Sequence, residues 1–136
     1  MLFRSFHIVP EDGLPADGTF DLITTFDCLH DMTQPARVVE AIRAAIRPDG
    51  WWLIADIKGR PTYEENLRDN PMAARMYATS VVGCLQTGMS EPGGAGLGTL
   101  GLPEPTMREL TRSAGFTRFR VLDLPSPINA YYEVRP

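Results

Sequence analysis

The stretch "FDLITTFDCLHDMTQPARVVEAIRAAIRPDGWWLIADI", residues 20–57, decides the fold. Its first seven residues are short, apolar and rich in β-branched side chains, as expected of a strand buried on both faces of a parallel sheet. A helix follows. Thr33 reads as its N-cap, Pro35 sits in the first turn, and Val38, Val39, Ile42, Ala45 and Ile46 form one apolar stripe. Pro48-Asp49-Gly50 stops that helix, and "WWLIADI" (51–57) is a second buried strand. Strand, helix and strand with short connections make a right-handed βαβ unit and hence a parallel pair. Asp27, His30 and Asp31 then stand just beyond the carboxyl end of the first strand, where open α/β sheets do their chemistry. The plain alternative is a polar loop that carries a histidine.

Outward from this unit the pattern changes. Upstream, "LFRSFHIV" (2–9) is strand-like and "PEDGLPADG" (10–18) is a loop dense in turn residues. Downstream, residues 58–103 break the rhythm. A helix is expected to open at Asn70-Pro71, with Met72, Met76, Tyr77, Val81 and Leu85 near one face, and "MSEPGGAGLGTLGLP" follows it. An insertion of this length between strand and helix reads as a lid or substrate-side binding loop. "EPTMRELTRSAGF" is a short helix with Gly115 as its C′ residue, and "FRVLDL" and "AYYEVR" form an antiparallel hairpin. Trp51 and Trp52 are adjacent on a strand, so they point to opposite faces, both as packing.

The whole chain, 1–136, reads as one domain. Its 136 residues, 43% hydrophobic and 22% charged, suit a globular protein able to bury a core. A net charge of −4 with no basic stripe argues against a nucleic-acid partner. Cys28 and Cys84 lie far apart with no C-x-x-C and no accompanying His pair, so neither a disulfide framework nor a metal site is expected. With no signal-peptide pattern and no long apolar run, no membrane partner is expected and the location reads as cytoplasmic.

These segments together resemble the second half of a class I S-adenosylmethionine-dependent methyltransferase. "FDLITTFDCLHDM" is similar to the fourth strand and its exit, and "AIRAAIRPDGWWLIADI" to the following helix and fifth strand. "MRELTRSAGFTRFRVLDL" is similar to the last helix and sixth strand, and "INAYYEVRP" to the closing seventh strand. The "FDCLHDM" phrase narrows the resemblance toward enzymes with an N-terminal winged-helix region. It implies an α/β fold: a partial Rossmann-like methyltransferase sheet of the third to seventh strands, parallel strands plus a C-terminal antiparallel hairpin, with helices on its faces. The family's strand order is third, second, first, fourth, fifth, seventh, sixth.

The resemblance also implies S-adenosylmethionine as cofactor and a small-molecule methyl acceptor. Plant-type O-methyltransferases carry a similar "HD" after the fourth strand, so His30 is implied as general base, with Asp31 orienting its ring or contacting the acceptor. Those relatives continue with Trp where this chain has Met32. A histidine that titrates near neutrality suits removal of a hydroxyl proton; its structural alternative is a ring that caps the nearby helix. Phe26, Asp27 and Cys28 are implied as cleft lining, although Cys28 reads more simply as strand-end packing. Pro10 occupies the slot of the adenine-binding acid, so Glu11 or Asp12 would have to substitute. Met76, Tyr77 and Met89 are acceptor-side candidates, with ordinary core packing as the alternative. Gly96, Gly98 and Gly101 satisfy G-x-G-x-x-G, with Asp123 beyond, but no strand is expected before them.

No strand–glycine-turn–helix opening precedes Phe6, so the chain is expected to be incomplete and to bind the cofactor weakly or not at all by itself. Three functional readings follow: a methyltransferase portion whose activity belongs to a longer protein; an interaction module pairing through an open edge of "FDLITTF" with a second copy or an N-terminal half; or a small-ligand binder using residues 58–103.

Overall fold

A computed structural model describes residues 9, 10 and 13–136. They form β1 (Phe20–Phe26), one 3-10 turn (Leu29–Asp31), α1 (Pro35–Ala45), β2 (Ile46–Ile57), α2 (Tyr63–Asp69), α3 (Ala73–Val82), α4 (Cys84–Gly88), α5 (Glu104–Ser113), β3 (Arg118–Leu122) and β4 (Asn129–Arg135). The sheet order is β1-β2-β4-β3. β1 and β2 run parallel (Thr24 beside Leu53), while β4 is antiparallel to both β2 (Tyr132 beside Ile54) and β3 (Tyr132 beside Val121). This is the order implied for the fourth, fifth, seventh and sixth strands. The strand expected over 2–9 lies, apart from Val9, outside the described residues, as do Glu11 and Asp12.

The apolar stripe of α1 is the one its periodicity predicts: Val38, Val39, Ile42 and Ala45 are buried. Its boundaries differ from expectation. Gln34, not Thr33, is the N-cap, and the Thr33 hydroxyl is directed at Glu91 Oε2 3.5 Å away. The helix ends at Ala45 and Ile46 is already extended, so β2 begins there rather than at Trp51. Pro48-Asp49-Gly50 therefore lies inside a strand irregularity, where the register shifts between Phe20 beside Ile46 and Leu22 beside Trp51. Gly50 is needed there, since a Cβ would stand 2.7 Å from Ile46 Cγ1 and 2.9 Å from the Phe20 carbonyl oxygen.

Strand alternation puts Trp52 and Ile54 of β2 on the face shared with Tyr132 and Val134 of β4. Val39 and Ile42 of α1 and Met107 of α5 pack over this face and close the main core, with Leu29 and Phe116. The other face of β1 is bare: Leu22 is 58% and Phe26 61% exposed. The expectation that β1 is buried on both faces is thus corrected. Among the described residues it is the edge strand, with only Ile23 and Thr25 turned toward the core side.

Beyond the carboxyl end of β2 the chain builds α2, α3 and α4. The short α2 has no counterpart in the sequence expectations. A capping box starts it, Thr62 Oγ1 accepting from the Glu65 amide and Glu65 Oε2 accepting from the Thr62 amide, each at 3.1 Å. The single helix expected from Asn70 onward is broken at Gly83 (φ −138°, ψ −94°) into α3 and α4, and Val81 faces solvent instead of joining Met76. The glycine-dense segment follows α4 and leads into Pro103, with Thr99, Leu100 and Leu102 buried. Gly98 (φ +69°) lies so close to Ser80 that a Cβ would collide with its hydroxyl, so this glycine serves close packing.

Gly115 is the C′ residue of α5, as its sequence position predicts, with φ +90° and its amide donating to the Arg112 carbonyl at 3.0 Å. The space around it is open: an alanine methyl there would have Arg43 Nε as its nearest neighbour, 3.9 Å away. Gly115→Ala is therefore expected to cost about 1–2 kcal/mol through backbone strain alone. A urea midpoint unchanged from the parent would contradict this.

Candidate functional site

The site grows from the exit of β1. Asp27 turns the chain with φ +46°, a conformation that Asp tolerates better than most residues. Its amide donates to the Ala55 carbonyl at 2.9 Å, extending the β1–β2 ladder by one bond, and its carboxylate accepts from the Asn129 side chain at the start of β4. The 3-10 turn comes next. Leu29, fully buried, anchors it in the core, and His30 beside it is only 3% exposed.

A buried imidazole needs partners, and β2 supplies one. Asp56, 1% exposed, sits near the end of β2 with its Oδ1 2.6 Å from His30 Nδ1. The same oxygen accepts from the Ile57 amide at 2.8 Å. This contact places the proton on Nδ1 when the ring is neutral, leaving the Nε2 lone pair directed away from Asp56. Nε2 faces Asp31 Oδ1 at 3.4 Å; that oxygen is buried and makes no hydrogen bond. Burial pulls the His30 pKa down, but the hydrogen bond and charge of Asp56, aided by Asp31 and Asp27, outweigh it and hold the ring above its ordinary 6.5. Burial pushes the Cys28 and Cys84 thiols up.

The raised His30 pKa has a consequence for stability. Protonated His30 stabilises the fold fully below the unfolded value of 6.5, and this contribution fades as pH rises through the higher folded value. Asp56→Asn removes the main cause. The stability gap between parent and Asp56→Asn is therefore expected to be widest on the acidic side of about 6.5 and to narrow above it. Urea unfolding in chelator-containing buffer across that range checks the sign, and a gap that widens with pH would refute it.

Asp56 is a site residue that the sequence motifs do not single out. The available signal is a lone carboxylate inside "WWLIADI", because Asp is almost never fully buried without a partner.

A cavity of about 370 Å³ opens between α2, α3, α4 and the glycine-dense segment, walled by Tyr63, Asn66, Tyr77, Ser80, Leu85 and Leu100 among others, with neither His30 nor Asp56 in its lining. Leu85 follows Cys84 in sequence and Ser80 Oγ accepts from the Thr99 amide at 3.0 Å, while the Cys84 thiol accepts from Thr99 Oγ1 at 3.1 Å and lies beside His30 and Asp31. Asn66, 2% exposed, braces the cavity rim by donating to the carbonyls of Arg60 (3.0 Å) and Thr62 (2.8 Å) and to the Tyr77 hydroxyl (3.2 Å). Of the acceptor-side candidates, Tyr77 lines this cavity and packs against Tyr63 in a tilted arrangement, ring centres 5.1 Å apart and planes inclined by 51°. Met76 is buried against Ala73 and Leu100, and Met89 is 61% exposed with its side chain against Gly96. The structure thus brings His30, Asp31 and Cys28 to one strand exit, with Asp27 turned toward Asn129 and Phe26 on the bare face. No helix among the described residues is long and apolar enough to cross a membrane.

Comparison with known proteins agrees with this architecture. The sequence profile of a family described as "Methyltransferase domain" matches residues 3–87. The ubiquinone biosynthesis O-methyltransferase of Paraburkholderia xenovorans (strain LB400) is 44% identical over 34 residues, 25% of this chain and 15% of that protein. Among solved structures, the CMeT domain of the citrinin polyketide synthase matches with a TM-score of 0.65 at 14% identity, over 96% of this chain and 32% of that one. An O-methyltransferase family protein from Burkholderia thailandensis gives 0.57 at 20% identity, over 90% and 33%. Human N-acetylserotonin methyltransferase, solved in complex with SAM, gives 0.53 at 19% identity, over 85% and 29%. At such identities the structural likeness shows the fold alone, and the chain spans about a third of the length of these structures. With the profile covering more than half of the chain and the strand order in agreement, the chain belongs to the methyltransferase domain family, on the class I Rossmann-like sheet.

Proposed function

We propose that this chain is the acceptor-side portion of an S-adenosylmethionine-dependent O-methyltransferase acting on a small-molecule hydroxyl, with His30 as general base. The observation that carries the reading is the Asp56–His30 pair. It holds Nδ1 and leaves the Nε2 lone pair turned away from Asp56. Methyl transfer from a sulfonium asks the protein mainly to align donor and acceptor, and a hydroxyl acceptor must also lose its proton. Asp31, whose Oδ1 faces Nε2 at 3.4 Å without a hydrogen bond, contacts the acceptor. Phe26, Asp27 and Cys28 line the donor cleft, and the adenine-binding acid is Glu11 or Asp12, both outside the described residues. Tyr77 contacts the acceptor, Met76 and Met89 are further acceptor-side residues, and residues 58–103 form the substrate-side insertion. The matching O-methyltransferase relative and a structural neighbour solved with SAM support this chemistry.

By itself the chain holds the cofactor poorly. Its glycine run stands between α4 and α5 rather than between a strand and a helix, so no backbone cradle for the methionine moiety forms there. Isothermal titration of the chain with S-adenosylhomocysteine is expected to show no micromolar binding; micromolar binding would overturn this part of the reading.

Among the described residues β1 is the edge strand, and Leu22 and Phe26 on its face are exposed, which favours a second reading as a module that pairs through this strand with another chain. Light scattering after size-exclusion chromatography separates the two, since a defined dimer supports pairing and a monomer counts against it.

A further inference from the structure

We propose that His30 Nε2, a carboxylate oxygen of Asp31 and Cys84 Sγ form a binding site for a single divalent metal ion of borderline softness, zinc by its ligand preferences. The three ligand atoms come from the 3-10 turn and from α4, and all lie within 4.8 Å of one another. An imidazole nitrogen, a carboxylate oxygen and a thiolate are the donor types zinc accepts together, and three protein ligands leave a fourth position open.

Two independent observations point to an ion rather than to a self-contained polar cluster. The first is Asp31 Oδ1, buried and without a hydrogen bond of normal geometry although it faces His30 Nε2 at 3.4 Å, while the Cys84 thiol interacts with the same carboxylate. A charge-assisted hydrogen bond would close to roughly 2.7–2.9 Å. The edge of a tetrahedron whose arms are about 2.0–2.3 Å long is roughly 3.3–3.8 Å, which the observed separation matches. The second is the buried Asp56 behind the ring. Its bond to Nδ1 produces the carboxylate–histidine arrangement that orients metal-ligating imidazoles and makes Nε2 more basic. Asp31 and Cys84 are both partly exposed, so they can close the remaining gap by side-chain rotation. On binding, the Cys84 S–H bond breaks, its proton leaves to solvent and the sulfur lone pair goes to the metal.

The site does not rest on the methyl-transfer reading. If both hold, metal and base compete, because an ion on Nε2 occupies the lone pair that would take the acceptor's proton, and the metal inhibits.

The test uses the full chain, stripped with chelator and dialysed, titrated with zinc alone by calorimetry and with cobalt(II) alone by absorption. One ion per chain is expected, together with a thiolate-to-cobalt charge-transfer band that Cys84→Ser abolishes and Cys28→Ser retains. Cys84→Ser and Asp31→Asn should each weaken zinc at least about tenfold, and Asp56→Asn, which acts only through the ring, by about 10–100-fold. Circular dichroism checks that each variant is folded, and the partly exposed Asp31 provides a variant that leaves the core untouched. Absence of the charge-transfer band in the folded parent chain, or undiminished zinc affinity in folded Cys84→Ser and Asp31→Asn, would overturn the proposal. Both readouts are independent of cofactor binding and turnover, so their failure is distinct from failure of the methyltransferase reading.

Discussion

His30→Gln is expected to lower kcat of the proposed methyl transfer to hydroxyl acceptors by about 10²–10⁴-fold, the usual contribution of a positioned general base. The measurement is made at saturating S-adenosylmethionine, so that weak cofactor binding does not mask the chemical step. Glutamine keeps a polar group of similar reach opposite Asp56, so the fold survives while the proton acceptor is lost. The pH profile supplies a second check. Only the neutral ring can take a proton, so the parent rate should climb with pH through a half-point above 6.5, the ordinary value that Asp56 raises. In Asp56→Asn the half-point should fall, because burial of the ring remains while its anionic partner is gone. A His30→Gln chain with parental kcat would remove His30 from the mechanism and leave it as a buried polar residue.

Trp52→Ala is expected to cost about 3–5 kcal/mol, enough to unfold much of a chain whose total stability is of order 5–15 kcal/mol. Trp52 is fully buried at the centre of the main core, beside Val134 in the β2–β4 register and 5.4 Å from the Phe116 ring centre. Its Nε1 donates to Thr25 Oγ1 at 3.2 Å, tying β2 to β1 on the core side. Truncation removes that bond and opens a cavity that neighbouring elements fill only in part. Trp51, one residue away, is the control. It lies on the other face, 44% exposed, with the Arg135 guanidinium 3.2 Å over its ring. Trp51→Ala is expected to lose only about 0.5–1 kcal/mol of cation–π attraction plus a modest burial contribution. Urea unfolding of both variants side by side decides the matter, and equal losses would mean that the sheet presents its faces differently.

Residues 20–57 show how far local pattern reaches. The stripe of α1, the alternation that separates Trp51 from Trp52 and the strand-to-turn exit at Asp27 are all legible, because each depends on periodicity or turn chemistry within a few residues. Boundaries are less so. β2 starts at Ile46 because Ile46 pairs with Phe20 across a strand irregularity, and that pairing is a contact between distant segments. The bare face of β1 is hidden from the sequence for a related reason. An apolar, β-branched run states that a strand wants burial, while its neighbours determine whether burial is available. The capping box of α2 is written in Thr62 and Glu65, but its short helix lacks the long apolar stripe by which helices are recognised.

What the sequence by itself determined is the family, the βαβ unit, the hairpin and the placing of His30 and Asp31 at a strand exit. Only the tertiary structure decided that Asp56, 26 residues away, turns the imidazole, and that Cys84 stands beside it and Asp31. The physical reason is that a side chain's protonation and ligand set depend on which charges and lone pairs are folded against it. Strand pairing and helix docking bring those groups together from segments with no common local pattern.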